Sequence, residues 1–152
     1  MPLKPDRLEI ETDISHMMNE VATRGIIVCI ASGGSGIGVT DRDNVVTAKA
    51  YASGGNPLGM LLTDVVNVDT TKFHVNQHKE EVQKGNKVTV GVKGWWVTDQ
   101  VLGSPTVGQK AFLDASGKIS ATDVGTAQTP QVGRFLTVKD SSGYLKVAIN
   151  LP

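Results

Sequence analysis

The chain has 152 residues, enough for one domain with a sizeable core, and its 15 Lys and Arg balance 15 Asp and Glu. A formal net charge of zero leaves no electrostatic footprint for nucleic acid or for an anionic membrane, and it weighs against a disordered chain. A single cysteine, Cys29, excludes an intrachain disulfide framework.

No stretch approaches the ~20 apolar residues of a membrane-spanning helix. The first residues, Met1-Pro2-Leu3-Lys4-Pro5-Asp6-Arg7, have no apolar segment of the secretory type. The expected setting is a cytoplasm, or a particle assembled in one.

Residues 1–14 differ in character from the rest of the chain. Pro2 and Pro5 disfavour a helix, and then Leu8-Glu9-Ile10-Glu11-Thr12-Asp13-Ile14 alternates, with acidic residues at every second position. Leu8, Ile10 and Ile14 are expected on one face and Glu9, Glu11 and Asp13 on the other. The reading is an extended N-terminal arm over 1–14 and one β-rich domain over 15–152. Such an arm pairs either with a sheet edge of its own chain, as a first strand, or with a neighbouring molecule, being mobile until it does.

The next segment, His16-Met17-Met18-Asn19-Glu20-Val21-Ala22, is compatible with one or two helical turns, capped by Ser15 and stopped by Gly25. Gly25-Ile26-Ile27-Val28-Cys29-Ile30-Ala31 is an apolar run in which Cys29 reads as a small buried hydrophobe. Ser32-Gly33-Gly34-Ser35-Gly36-Ile37-Gly38 lacks the Gly-x-Gly-x-x-Gly register of a dinucleotide loop and is followed by turn residues, so a flexible loop is expected.

Two segments echo each other. Asn56-Pro57-Leu58-Gly59-Met60-Leu61-Leu62-Thr63 and Pro130-Gln131-Val132-Gly133-Arg134-Phe135-Leu136-Thr137 each place Pro, a residue, an apolar residue and Gly before an apolar run. Both fit strand starts, where the missing proline N–H costs nothing.

Between them, His74 and His78 are four apart, with Glu81 beyond. A zinc site would need a rigid helix there, and Lys79, Gly85 and the strand-like flanks argue against one. Solvated histidines are the expectation, with 78–84 a helical turn, a polar strand or a loop.

Val88-Thr89-Val90-Gly91-Val92-Lys93 and Leu145-Lys146-Val147-Ala148-Ile149-Asn150-Leu151 carry the two-residue period of half-buried strands. Ala111-Phe112-Leu113-Asp114 and Arg134-Phe135-Leu136-Thr137-Val138 are further strands. Asp114-Ala115-Ser116-Gly117 and Asp140-Ser141-Ser142-Gly143 have the form of a type I turn with Gly at positive φ.

Gly103-Ser104-Pro105-Thr106-Val107-Gly108-Gln109-Lys110 misses the phosphate-loop pattern: Lys110 is one place late, Ala111 replaces the metal-binding hydroxyl and Pro105 removes an N–H. Trp95-Trp96 are neighbours on a strand and must point to opposite faces, one into the core and one outward as a contact residue. No catalytic constellation stands out, and no catalytic, cofactor-binding or metal-binding residue is assigned.

From Asn56 to Leu151, about two thirds of the chain, the sequence resembles the small β-rich decoration, or cement, proteins of tailed-phage capsids of the lambda type. The resemblance rests on Pro57-Leu58-Gly59-Met60, His78 to Gln83, Gly85 to Val90, Lys93 to Thr98, Gly108 to Leu113, Val132 to Leu136 and Gly143-Tyr144. It implies a mainly β, barrel-like or β-tulip-like domain with at most one or two short helices and no cofactor. It also implies a homotrimer on the outer surface of the capsid, bound to the major capsid protein and bridging its neighbouring subunits, with no enzymatic activity. The contact residues expected from the sequence are Leu8, Ile10, Ile14, Trp95 and Trp96.

Other readings of the same features are a carbohydrate-binding β domain stacking sugars on Trp95 or Trp96, and a tail or fibre component. A small-molecule enzyme is more distant. A major capsid subunit is disfavoured, because the chain is short for the usual shell fold with its long spine helix.

Overall fold

The computed structural model describes residues 2–30, 47–50, 56–62, 81–123 and 130–152, with 47–50 described as backbone only. The candidate loop at 32–38 and the histidines His74 and His78 lie outside these residues. The described strands are β1 (Leu8–Met18), β2 (Ala22–Thr23), β3 (Ile27–Ile30), β4 (Thr47–Ala50), β5 (Asn56–Leu62) and β6 (Glu81–Val82). They continue as β7 (Lys87–Thr98), β8 (Val101–Leu102), β9 (Lys110–Leu113), β10 (Ile119–Ser120), β11 (Gln131–Phe135) and β12 (Leu145–Asn150). The protein is mainly β, as expected, and no helix occurs among the described residues.

The long strand β7 organises the sheet. One of its edges carries β1, with Leu8 opposite Trp95 and Met17 opposite Lys87. Its other edge carries β5 opposite Thr89–Gly91 and then β12 opposite Lys93–Thr98. From β5 the pairing passes to β3, to β4 and back to β1, so five strands close a ring. From β12 it passes to β11, β9, β10 and β8, a curled sheet that leaves the ring on one side. β2 and β6 form a separate pair.

Two cores result, and they share a wall. Met18, Ala22, Ile26, Val28, Leu61, Val82, Val88 and Val90 pack together on one side of β3 and β5. Ile27, Cys29, Met60 and Leu62 pack on the other, with Trp96, Leu113, Ile119, Phe135, Val147 and Ile149. Ile27, Val28, Cys29, Met60, Leu61 and Leu62 are therefore all fully buried. An unbroken apolar run is what a strand covered on both faces requires, which accounts for residues 26–29, whereas Ile30 at the strand end is exposed. Cys29 is one of the buried small side chains.

The proposed helical turns at 16–22 do not form. His16 to Met18 extend β1, where the Met18 N–H donates to the Asn86 carbonyl at 3.0 Å and the Met18 carbonyl accepts the Gly85 N–H at 2.7 Å. Ser15 does not cap a helix; its N–H (2.6 Å) and hydroxyl (2.5 Å) both meet the Asp13 carboxylate. Helix preference there is weak, and the burial of Met18 and Ala22 in the smaller core outweighs it. Glu81 and Val82, also considered for a helical turn, form β6.

Both Asp-x-Ser-Gly segments make the expected turns. Gly117 has φ 79° and Gly143 φ 85°, and each donates its N–H to the carbonyl of the turn aspartate at 3.0 Å. The echoed segments are both strands, β5 and β11. The near-miss phosphate loop is a turn between β8 and β9, with Lys110 inside β9 and no helix after it.

The first residues lie against the same chain. Leu3 is buried in the larger core and bridges to Thr98. The Lys4 N–H donates to the Val97 carbonyl at 2.9 Å. The buried Thr98 hydroxyl sits 2.9 Å from the Pro2 carbonyl and 3.1 Å from that of Gly25, and accepts the Gln100 N–H at 3.0 Å.

A candidate protein interface around Trp95

The adjacent tryptophans divide as strand geometry requires. Trp96 is 0% exposed in the larger core, and Trp95 is 43% exposed on the outer face of the sheet. Trp96 is thus a packing residue, and Trp95 alone of the pair is open to contact.

Leu8 sits directly opposite Trp95 on β1. Trp95 forms the ridge between two shallow grooves. One is lined by Leu8, Val97, Val138, Tyr144 and Lys146, the other by Ile10, Lys93, Arg134, Ala148 and Asn150. The structure therefore gathers Leu8, Ile10 and Trp95 into one surface. Ile14 lies farther along β1, opposite the far half of β7, and does not border either groove.

The alternation expected over 8–14 is not kept. The pairing of β1 with β7 shifts register between Glu9 and Glu11, between Glu11 and Thr12, and between Asp13 and His16. Each bulge turns the side chains beyond it, so no single face of this segment is covered. Leu8 (46%), Ile10 (59%) and Ile14 (60%) are exposed, and so are Glu9 and Glu11. Three exposed large aliphatic residues on one strand are a burial deficit that the isolated chain does not repair.

Polar contacts fix the rim. The Lys146 ammonium lies 5.6 Å from the centre of the Trp95 ring, and that of Lys4 lies 4.1 Å from the centre of the Tyr144 ring. Lys4 also reaches Asp140 at 3.8 Å, and Arg7 meets Glu9 at 2.7 Å. The Asp140 carboxyl is held below its usual value by the Tyr144 N–H, helped by the Ser142 N–H and by Lys4. That charge stabilises the hairpin at one end of the Tyr144 groove.

Lys146, Ala148 and Arg134 are not marked as contact residues by sequence alone. Their outward direction follows from the alternation of β12 and β11, but their meeting with Trp95 follows only from strand register. Among the described residues no three His, Cys, Asp or Glu side chains group as metal ligands would.

The family of structural cement proteins (E217 gp24/Pam3 gp6) matches residues 9–150, nearly the whole chain. The chain belongs to this family of phage cement proteins. The match covers β1 as well as the later strands, including residues that the sequence resemblance did not reach. No curated protein matches the chain. A phage cement protein has a structural, capsid-stabilising role and its place is the virion capsid. A sheet face with an exposed tryptophan and aliphatic neighbours is in keeping with that role.

Proposed function

We propose that this cement protein binds the outer surface of the capsid and stabilises the shell by bridging neighbouring major capsid protein subunits. Its contact surface is the Trp95 face, with Leu8 and Ile10 as flanking anchors and Ile14 as a further contact along β1. The observation that carries this reading is the half-exposed Trp95 set between two grooves lined by aliphatic and charged side chains in a member of the cement family. Tryptophan is enriched among residues that dominate binding energy, and a desolvated ring is worth several aliphatic contacts.

The protein acts as a homotrimer in this reading. Threefold repetition converts modest contacts into firm attachment, because each further contact on the shell is intramolecular once the first has formed. No chemistry and no cofactor are needed for such a clamp.

The test is electron microscopy of parent capsids with and without added protein. Density on the outer surface at the junctions between capsid subunits, three copies per site, is expected, together with a raised temperature of DNA release. Density in the tail or inside the shell, or unchanged capsid stability at full occupancy, would overturn the proposal.

A further inference from the structure

The register across the outer face aligns one row of side chains over five strands. Leu8 is opposite Trp95, Trp95 opposite Ala148, Ala148 opposite Arg134, and Arg134 opposite Lys110. The row is apolar over its first three positions and cationic over its last two. Lys93 and Lys146 flank it on β7 and β12.

The four adjoining strands β7, β12, β11 and β9 contain no Asp or Glu at all, in a chain that has 15 of them. Neither Lys93, Arg134 nor Lys110 has a carboxylate partner among the described residues. Like charges directly opposite each other on neighbouring strands are destabilising. Arg134 against Lys110 is such a pair, and the adjoining strands β12, β11 and β9 carry no carboxylate to offset it. A cost of this kind, on a face that also exposes a tryptophan, is explained by a complementary charge that arrives from outside.

We propose that the element of the shell that docks on this face is an acidic segment of a capsid subunit. An apolar side chain of that segment covers Trp95 and Leu8, and its carboxylates reach Arg134 and Lys110. Adjacent strands lie about 4.8 Å apart, so Trp95 and Arg134 are about 10 Å apart across the sheet. An extended segment laid across the strands therefore carries its apolar residue and its first carboxylate about three residues apart. The proposal rests on the capsid-binding reading and names the chemistry of the partner within it.

The experiment measures co-sedimentation of the full-length protein with parent capsids lacking it, at about 50 mM and about 500 mM NaCl, which changes screening strongly. The double variant Arg134→Glu/Lys110→Glu keeps a like-charged pair, so its fold is not penalised relative to the native chain; an unchanged melting curve checks this. Lys84→Glu/Lys87→Glu makes the same change of charge at the other end of β7 and serves as control.

Native protein should bind less tightly at high salt. The Arg134/Lys110 variant should bind about tenfold or more weakly at low salt, with the salt dependence lost or reversed, and the control should stay within about twofold. Native-like binding and salt dependence in the Arg134/Lys110 variant would overturn the proposal while leaving capsid binding intact. A native protein that does not bind capsids at all would remove the capsid reading and this one with it. A single-stranded oligonucleotide probe that binds the native chain but not the Arg134/Lys110 variant, while capsid binding is equal for both, would assign the face to nucleic acid and overturn it too.

Discussion

The closing hairpin and the opening strand reach the same sheet by opposite routes. Between β11 and β12 the chain turns on Asp140, whose carboxylate accepts the N–H groups of Ser142 and Tyr144, both at 2.9 Å. The turn's own residues supply its partners, and β12 then falls beside β11 and β7 with three of its side chains buried. β1 has no closing turn of this kind, and its local support is limited to the Asp13 carboxylate, which accepts the Ser15 N–H and hydroxyl. It is held by Leu3 in the larger core, by the Thr98 hydroxyl and by β7, a strand about half the chain away. Along residues 8–15 it leaves its large side chains outside. A segment built by local chemistry can be self-sufficient, whereas one that depends on distant partners can keep its surface for another molecule.

Removal of residues 1–14 is the severest way to break this contrast. It deletes Leu3 from the core, takes the Pro2 acceptor from Thr98 and bares one edge of β7. Loss of the Leu3 side chain alone removes about 1.5–3 kcal/mol of burial. With the pairing of β1 added, a fall in melting temperature of more than about 10 °C, or loss of the cooperative transition, is expected by circular dichroism. A truncated protein that melts like the full chain would mean that β1 is a strap laid on a finished fold.

A narrower cut addresses the anchor itself. Thr98→Val keeps shape and removes the hydroxyl shared among the Pro2 carbonyl, the Gly25 carbonyl and the Gln100 N–H. Leaving these buried groups unpaired should cost about 1–3 kcal/mol in urea or guanidinium unfolding. Little change would place the hold on the N-terminus in Leu3 and the strand pairing instead.

These two regions also separate what the sequence makes legible from what it hides. Asp114–Gly117 and Asp140–Gly143 are readable because four adjacent residues carry the whole cause of the turn. The alternation in 145–151 marks the inward and outward residues of β12 for the same reason, and the Trp95–Trp96 split follows from pleat geometry. Residues 16–22 mislead because their strand state comes from Asn86, Val88 and the smaller core, not from their own preferences. The bulges of β1 are invisible in a pattern that alternates so regularly. The row from Leu8 to Lys110 is equally hidden, since it depends on four separate strand registers.

The two turns themselves are not equivalent, and glycine substitution sharpens the difference. At Gly143 a Cβ would meet nothing within 4 Å, so Gly143→Ala is penalised by its φ of 85° alone. That strain is about 1–2 kcal/mol. At Gly117 a Cβ would lie 3.0 Å from the Ile27 carbonyl oxygen, which belongs to the wall shared by both cores. Gly117→Ala should therefore be the more destabilising of the two, and Ser141→Ala, at the exposed turn tip, should do little. Equal losses at the two glycines would show that the Asp114 turn does not rest on β3.

The smallest expected effect is on acid stability. Burial works against the Asp114 carboxylate, but the N–H and hydroxyl of Ser116, the Ala115 N–H and Lys118 outweigh it and hold its pKa below the usual range. Asp13 behaves in the same way, burial being outweighed by the Ser15 hydroxyl and N–H and by His16, and Asp140 is lowered chiefly by the Tyr144 N–H. A carboxyl whose folded pKa lies below its unfolded value of about 3.9 contributes stability at neutral pH and loses it as pH falls through the folded value. The melting temperature should therefore be nearly level from about pH 7 to about pH 5 with respect to these groups, then decline below about pH 4. Exposure keeps each contribution small. Asp140→Asn and Asp114→Asn should each flatten part of the acid limb, the first through the closing hairpin and the second through the turn against β3. Asp13→Asn should do the same through β1. An acid limb untouched by any of the three would mean that the carboxylate hydrogen bonds in the turns and at Ser15 do not govern the stability of the strands they join.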